Sequence, residues 1–389
     1  MLQFINGQVI TPYQIKKTNI LIKNGKIKMV GDQMISEAKT IDLSNCFLAP
    51  GFIDIHLHGG GGADLMDGDV DSIIKIAETH LKYGTTAMYP TTLTAKDKEL
   101  FKLFENIGLA REKNKNGARI MGLHLEGPYL SANQKGAQDE RYLKRPNKEH
   151  YRKIIESSKE IVRVTSAPEI EGALELGNFL NERGIIASIG HTDAEYQDMI
   201  KALENGYSLL THFYSGMSNL KRVNGKRILG AVESGYLFDE FNVEIIADGY
   251  HLPPELLKLI YKIKGSNSIA LVTDAMRGAG MPEGKSILGS LENGIEVIIE
   301  DGVAKMPDKQ AFAGSVATMD RLVRNMVNLA DVPLTEAVKM AALTPAKIMK
   351  IDDKKGSISA GKDADLVVLN KDLEVEYTIL SGEIKFKKS

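Results

Sequence analysis

The sequence has little cysteine, no tryptophan and no long apolar run. Its single cysteine, Cys46, cannot form a disulfide within the chain, which is typical of a reducing compartment. A transmembrane helix needs about eighteen or more consecutive apolar residues, and no such run occurs. The first residues also lack a basic segment followed by an apolar one, so we expect a soluble, cytoplasmic protein without a signal peptide.

The chain also has little net charge. Its 49 basic and 51 acidic side chains give a formal net charge of −2. Binding to nucleic acid or to an anionic membrane surface needs a clear positive excess, so neither is expected as the main partner. We expect a small-molecule ligand. A chain of 389 residues is long enough for one large domain and a smaller one.

Apolar runs alternate with helical patterns through most of the sequence. This alternation is typical of parallel strands joined by helical crossovers, and eight such strands suggest an α/β fold with a closed (β/α)8 TIM-like barrel. The predicted strands are 52–58, 85–91, 118–126, 161–167, 185–190, 208–213, 243–248 and 269–274. The predicted helices are 71–81, 97–111, 147–157, 173–183, 194–203, 254–262, one that follows Met319, and 335–343.

Both ends of the chain have the sequence pattern of short strands separated by turns. Asn6-Gly7 and Asn24-Gly25 each predict a hairpin near the N-terminus. Neither end has enough strands to bury both faces of a sheet, so we expect the two ends to pair in one small β-sandwich. The expected division is a barrel over 51–350 and a β domain built from 1–50 and 351–389.

Metal-competent side chains recur at the C-terminal ends of the predicted strands. His56 and His58 have the spacing that places both imidazoles on one face of a strand. In a barrel, the carboxyl ends of all strands meet at one opening. The other side chains at such positions are Glu126, His191, His212 and Asp274.

This set of ligands indicates the kind of ion and its chemistry. Imidazoles with few carboxylates suit zinc or iron, whereas magnesium and calcium prefer oxygen ligands. So many ligands exceed the needs of a single tetrahedral ion, and a bridging Glu126 would allow two. A divalent ion with an open position makes water reactive at neutral pH, and Asp274 could move its proton to a leaving group. His80 and His150 fall on helical faces, and we expect them to be solvated.

Several motifs contain these residues, and His124-Leu-Glu-Gly-Pro128 is the most specific of them. The others are Pro50-Gly-Phe-Ile-Asp-Ile-His-Leu-His-Gly59, Gly190-His-Thr192, Thr211-His212, Ile246-Ala-Asp-Gly-Tyr-His251, Leu271-Val-Thr-Asp-Ala275 and Gly356-Ser-Ile-Ser-Ala-Gly-Lys-Asp-Ala-Asp-Leu366. Together they resemble the amidohydrolase superfamily and, within it, the enzymes that deacetylate amino-sugar phosphates. Glu126 stands in for the carbamylated lysine of other members, which disfavours a dihydroorotase-like enzyme.

The resemblance implies an activity and a metal centre. The implied reaction is metal-dependent hydrolysis of the acetamide of N-acetylglucosamine 6-phosphate, an amino-sugar phosphate, to glucosamine 6-phosphate and acetate. Glu126, His191 and His212 would hold the main ion, zinc or iron, and the two histidines of the first strand would allow a second ion. Asp274 would be the catalytic acid and base. A homodimer is also implied.

The resemblance further implies which residues bind the substrate. His251 and an arginine would hold the sugar phosphate. Arg222 and Arg227 are the candidates, and we favour Arg227 because it precedes Ile-Leu-Gly. The remaining implied positions are the backbone amides at Ser215 and Gly216 for the phosphate, Ala137 and Gln138 for the acetamide, and Phe312, Ala313 and Gly314 for the pocket wall.

Three alternatives stay open at this point. The substrate could be the epimer N-acetylgalactosamine 6-phosphate, or the enzyme could open a cyclic amide. The chain could also be a catalytically silent scaffold, since a fold does not dictate a function. The complete set of metal ligands together with Asp274 disfavours the scaffold.

Overall fold

The computed structural model describes residues 1–308 and 312–388. Its central feature is a set of parallel strands at the predicted positions, which confirms the α/β class. We label them β1 to β8 in chain order. They are Phe52–Leu57, Thr85–Pro90, Leu123–Glu126, Ile161–Ser166, Ile186–Ile189, Tyr207–Leu210, Asn242–Ile245 and Ile269–Leu271.

The parallel strands form two sheets. In the first sheet, β2 lies between β1 and the short strand Arg119–Ile120 and pairs with both; in the second, β3 to β8 pair in sequential order. A parallel bridge between Thr91 and His124 joins β2 to β3, and another between Leu57 and Ala275 joins the end of β1 to the segment after β8. The C-terminal ends of all these strands therefore lie on one side, which we call the carboxyl edge.

Helices connect the strands as the 3.6-residue periodicity predicts. We label them α1 to α10: Val70–Leu81, Asp97–Lys113, Lys148–Glu156, Ala173–Asn181, Tyr196–Glu204, Ala231–Leu237, Pro254–Lys264, Met319–Asn328, Leu334–Ala341 and Leu343–Ile348. The sequence did not predict α6 and α10. Both span only about two turns, too few for an apolar periodicity to stand out. No helix within 1–308 and 312–388 is long and apolar enough to cross a membrane.

Strands from both chain ends pair in one six-stranded sheet, as expected. Within it, Leu366–Leu369 runs antiparallel to Phe47–Pro50. In spatial order the strands are Glu383–Lys387, Val375–Leu380, Leu366–Leu369, Phe47–Pro50, Gln8–Ile10 and Ile15–Lys17. A four-stranded sheet contains Lys26–Gly31, Asn19–Lys23, Leu2–Ile5 and Lys39–Asp42. Apolar side chains from both sheets share a cluster that includes Phe4, Ile20, Leu48, Leu366 and Ile379.

The two predicted N-terminal hairpins had different outcomes. Asn24-Gly25 connects the antiparallel strands Asn19–Lys23 and Lys26–Gly31, as predicted. The prediction of a hairpin at Asn6-Gly7 was wrong, because the strands on either side of this pair lie in different sheets. An Asn-Gly pair favours a tight turn but does not determine which strands pair on either side.

A three-stranded antiparallel sheet after β8 was not predicted. Its strands are Gly284–Leu288, Ile295–Glu300 and Val303–Lys305. Its apolar side chains pack with Met276 and Ala313, so this sheet lies beside the segment that follows β8. Two further strand pairs are Gly59–Gly60 with Ala63–Asp64 and Lys221–Val223 with Lys226–Ile228.

The prediction that His80 and His150 are solvated was wrong. His80 is fully buried, and its Nε2 lies 2.9 Å from the carbonyl oxygen of Gly59. His150 is half-buried, with Nδ1 2.7 Å from the Tyr129 hydroxyl and Nε2 3.1 Å from Oδ2 of Asp97. Their helical spacing did not show that the faces they occupy pack against other elements of the fold.

Candidate active site

The side chains predicted at strand ends lie together at the carboxyl edge. His56 and His58 come from the end of β1, and Glu126 is the last residue of β3. His191 and His212 lie two residues after β5 and β6, and Asp274 lies three residues after β8. Five of the six are buried, and the Asp274 side chain keeps 13% of its surface exposed. The buried five are His56, His58, Glu126, His191 and His212.

Three of these residues have a left-handed backbone conformation. The φ angles are 49° at His191, 33° at His212 and 47° at Asp274. Positive φ is uncommon for residues other than glycine, and strained conformations of this kind concentrate at functional sites. Their recurrence at three strand ends around one cluster indicates a functional constraint on where these side chains point.

Glu126 lies at the centre of the cluster. Its Oε1 is 3.0 Å from Nε2 of His212 and 3.3 Å from Nε2 of His191. Its Oε2 is 3.5 Å from Nε2 of His58. Two groups of side chains could each hold an ion with ligand atoms within 4.8 Å of one another, and Glu126 belongs to both. This is the position that a bridging carboxylate requires.

The orientation of the imidazoles shows which nitrogen faces the cluster. In three rings, Nδ1 lies 2.8 to 3.1 Å from a backbone carbonyl oxygen. A carbonyl oxygen can only accept a hydrogen bond, so Nδ1 carries a proton, and in the neutral form of the ring the lone pair of Nε2 faces inward. The pairs are His58 with Thr91, His191 with Gln134, and His212 with Ser215.

This arrangement of donors fits a divalent cation. The Nε2 atoms of His56 and His58 are 3.3 Å apart, and those of His191 and His212 are 3.2 Å apart. Neutral imidazoles with lone pairs facing each other beside a carboxylate repel unless positive charge lies between them. Outer hydrogen bonds that fix Nδ1 and leave Nε2 free are typical of metal-binding histidines. The residues therefore suit zinc or iron.

The carboxylates of the cluster are ionised at neutral pH. Burial favours the neutral acid, but the charge of His56 in its protonated form and hydrogen bonds from the surrounding imidazoles hold the pKa of Glu126 well below its ordinary value. Burial likewise opposes ionisation of Asp274, yet His56 and His58 lower its pKa to about 2. A bound divalent cation would also lower the pKa of both carboxyl groups. Asp274 Oδ1 is 3.1 Å from Nε2 of His58.

A cavity of about 240 Å³ opens over the cluster. Its wall contains side chains of the cluster, most of the predicted substrate positions and three residues that were not predicted. The predicted ones are Ala137, Gln138, Ser215, Gly216, His251, Phe312 and Gly314, and the unpredicted ones are Leu93, Gly136 and Leu288. The unpredicted residues lie in loops and on the antiparallel sheet, outside any motif, so the sequence carried no signal for them.

Two predicted substrate positions do not line this cavity. Ala313 is fully buried in the apolar cluster beside the antiparallel sheet. Arg227 is exposed on the short strand Lys226–Ile228, where it pairs with Arg222 across the hairpin. Neither candidate arginine therefore reaches the cavity of its own chain.

The amide group of Gln138 has a fixed orientation. The backbone N–H of Thr94 donates to Oε1 of Gln138 at 2.7 Å. Because a backbone N–H can only donate, this contact assigns the amide oxygen to the Thr94 side. The NH2 group therefore points into the site, where it donates to Oε2 of Glu126 at 2.9 Å.

His251 lies in the cavity wall beside an acidic partner. Its Nδ1 lies 2.7 Å from Oδ2 of Asp248, and the rings of His251 and Phe312 are 5.0 Å apart. Burial lowers the pKa of His251, but the hydrogen bond and charge of Asp248 outweigh it and raise the pKa above the ordinary value. The imidazolium thus persists to higher pH than in an isolated histidine.

The fold and the cluster define a class of metal-dependent hydrolases. The model of the amidohydrolase family matches residues 47–385, and the chain belongs to that family. It is 34% identical to N-acetylglucosamine-6-phosphate deacetylase of Bacillus subtilis (strain 168) over 379 residues, which is 96% of this chain and 93% of that protein.

Two further comparisons bear on substrate and fold. The chain is 34% identical to N-acetylgalactosamine-6-phosphate deacetylase of Escherichia coli O157:H7, covering 87% of each protein. The crystal structure of N-acetylglucosamine-6-phosphate deacetylase from Pasteurella multocida superposes over the full length of both chains with a TM-score of 0.92 at 30% identity. The family suggested by the sequence motifs is therefore confirmed.

Proposed function

We propose that the chain hydrolyses the acetamide of N-acetylglucosamine 6-phosphate to glucosamine 6-phosphate and acetate. The observation that carries this proposal is the convergence of Glu126, His191 and His212 beside Asp274 at the floor of one cavity. The similarity to relatives that bear this name supports the choice of substrate.

We propose the metal centre that the sequence predicted. Glu126, His191 and His212 would hold the main ion, zinc or iron, and His56 and His58 together with Glu126 would hold a second ion. When bound, such an ion supplies the Lewis acidity that activates water and polarises a carbonyl oxygen.

The side chains of the protein move the protons and orient the amide. Asp274 is ionised and therefore able to accept a proton from the attacking water and to deliver it to the departing amine nitrogen. The NH2 of Gln138 donates to the acetyl oxygen and stabilises the charge that develops there. This direction of proton transfer yields the free amine and acetate.

The phosphate lies against His251 and the backbone N–H of Gly216, and Phe312 forms the adjacent wall. The backbone N–H of Ser215, also expected to bind the phosphate, already donates to the carbonyl oxygen of His212 at 2.9 Å. A charge-assisted hydrogen bond to an imidazolium is stronger than one between neutral groups. Because Arg227 does not line the cavity of its own chain, its proposed contact with the phosphate would have to come from the partner subunit of a homodimer.

We also propose a domain architecture and a location for the protein. The two parallel sheets act as one closed (β/α)8 barrel over residues 51–350, and the chain ends form a β-sandwich over 1–50 and 351–389. Bridges at both junctions of the parallel sheets support the first part, and the shared sheet of the chain ends supports the second. We also propose a cytoplasmic location, which suits a phosphorylated sugar substrate.

An assay of acetate release by the purified protein tests the substrate. We expect release from N-acetylglucosamine 6-phosphate and much weaker release from N-acetylglucosamine, which lacks the group that His251 binds. Absence of acetate release from the phosphorylated sugar by metal-loaded protein would contradict the proposal.

A second candidate substrate is the epimer N-acetylgalactosamine 6-phosphate. The similarity to the Escherichia coli enzyme named for that substrate favours it. A comparison of kcat/KM for the two epimers decides between them, and we expect the glucosamine derivative to have the larger value. Ring opening without acetate would indicate a cyclic amidohydrolase, and a silent scaffold would show neither reaction.

A further inference from the structure

A buried ion pair lies directly beneath the metal ligands. Arg163 on β4 and Glu244 on β7 are both fully buried, and Nη1 of Arg163 contacts Oε1 of Glu244. Removing two charges from water costs several kcal/mol per ion, and their attraction offsets this only if the remaining polar atoms are satisfied. A role in positioning other groups is one reason for a protein to retain such a pair.

The guanidinium of Arg163 is fixed from several sides. Its Nε donates to the hydroxyl of Ser188 at 2.8 Å, and its Nη1 also donates to the carbonyl oxygen of Ile55 at 3.0 Å. Its Nη2 donates to the hydroxyl of Thr211 at 3.0 Å. Arg163 thus connects β1, β5 and the end of β6 to its own strand, and it holds Glu244 in one place.

The second oxygen of Glu244 faces a metal ligand. Oε2 lies 3.3 Å from Nδ1 of His56 and accepts from the backbone N–H of His212 at 3.2 Å. An ionised carboxylate only accepts hydrogen bonds, so Nδ1 of His56 carries a proton. In the neutral form of the ring, the lone pair of Nε2 points towards His58, 3.3 Å away.

His56 differs from the other imidazoles of the cluster in this respect. A backbone carbonyl oxygen orients each of the others, and a backbone acceptor does not depend on a side chain. The orientation of His56 depends on Glu244, and that of Glu244 depends on Arg163. Glu244 also touches His212, but only at its backbone N–H, since Ser215 orients the His212 ring.

We infer that the Arg163–Glu244 pair positions His56 and thereby determines whether the ion position formed by His56, His58 and Glu126 is filled. The position formed by Glu126, His191 and His212 does not depend on the pair. The inference rests on the metal centre of the proposed function, but it concerns the number of ions and not the substrate. Arg163 and Glu244 are positioning residues, because they act through His56.

The variant Glu244→Gln tests this inference with nearly constant side-chain volume. Nη1 of Arg163, Nδ1 of His56 and the backbone N–H of His212 all donate to Glu244. An NH2 group in place of either carboxylate oxygen therefore faces at least one of these donors. If it faces Nδ1 of His56, the ring must change tautomer and direct an N–H at the ion position. We expect the wild type to bind about two equivalents of Zn²⁺, and Glu244→Gln to bind about one.

The measurements are metal content by mass spectrometry and Zn²⁺ titration against a chelator. Loss of an outer hydrogen-bond partner typically weakens metal binding about 10- to 100-fold. We expect the Kd of the more weakly bound Zn²⁺ to increase by that factor and the Kd of the other ion to stay unchanged. Two equivalents with unchanged Kd values in Glu244→Gln would overturn the inference, and so would loss of both ions from a folded variant or a wild type that binds a single ion.

Two further variants control for folding. The double variant Arg163→Met with Glu244→Leu removes both charges together, which proteins often tolerate better than removal of one; we expect it to fold and to lose the same ion. Glu160→Gln is the matched control, since Glu160 is a buried carboxylate paired with Arg111. It should keep two ions, and loss of an ion there would overturn the inference.

The proposed function and this inference can fail separately. A wild type that binds two ions but releases no acetate contradicts the proposed function and leaves the inference standing. A wild type that releases acetate while Glu244→Gln keeps both ions contradicts only the inference.

Discussion

At the scale of single residues, the side chains predicted as metal ligands form a cluster whose donor atoms suit a cation. The outward nitrogens of the imidazoles are occupied, and their inward nitrogens face each other and Glu126. Asp274 is ionised beside them and retains some exposure to the cavity. A carboxylate that contacts both the cluster and the cavity is suited to move a proton between water and substrate.

Asp274→Asn tests that role. The substitution keeps the shape of the side chain but removes its basicity, so we expect kcat to fall about 100- to 10,000-fold. Metal content should stay nearly unchanged, because Glu126, His191 and His212 remain. Steady-state acetate release and metal analysis on the same preparation measure both quantities. Near-normal turnover in this variant would contradict the assigned role.

The charge of His251 gives a pH dependence with a definite sign. Asp248 raises the pKa of His251, so the imidazolium is present below that pKa and is lost as the pH rises through it. We expect KM for the phosphorylated sugar to increase over that range. In Asp248→Asn the pKa falls, and the increase in KM should begin at lower pH. Identical KM profiles for both proteins would contradict the phosphate contact.

At the scale of elements, the parallel strands place most of the site. The sequence predicted these positions because a ligand at the end of each apolar run needs only the strand periodicity and the rule that carboxyl ends converge. It could not predict Leu93 or Leu288, whose positions depend on loops and on the sheet after β8. Arg163 was hidden inside an apolar run, and only its partner on β7 shows why a charge lies there.

The glycines after β1 allow close approach of the backbone. A Cβ at Gly59 would lie 2.5 Å from the carbonyl oxygen of Ala63 and 2.6 Å from the backbone nitrogen of Arg277. Gly59→Ala should therefore destabilise the protein by about 2 to 3 kcal/mol, the upper part of the usual cost of overpacking. Denaturant unfolding of the variant and the wild type measures the difference.

Gly184→Ala is the control for Gly59→Ala. Gly184 has φ of +70°, and a Cβ added there would have no atom within 4 Å. The substitution should therefore cost only the free energy of a left-handed backbone at alanine, about 1 kcal/mol. Equal destabilisation in both variants would contradict the packing argument for Gly59.

At the scale of the whole molecule, the two chain ends form a sheet that leads directly into the site. Phe47–Pro50 pairs with Leu366–Leu369, and β1 with His56 and His58 begins two residues later. The sequence predicted this pairing because neither end could bury a sheet alone. It could not predict the division of the N-terminal strands between two sheets, because a turn signal acts locally whereas sheet partners come from distant segments.

Removal and return of the metal is the most direct test of the central claim that these strand ends hold a catalytic ion. Chelator treatment should abolish acetate release from N-acetylglucosamine 6-phosphate, and Zn²⁺ or Fe²⁺ should restore it to the wild type. In a variant with His191 and His212 both replaced by Ala, added metal should restore little activity. Acetate release that persists after complete metal removal, or full restoration in the double variant, would contradict the account.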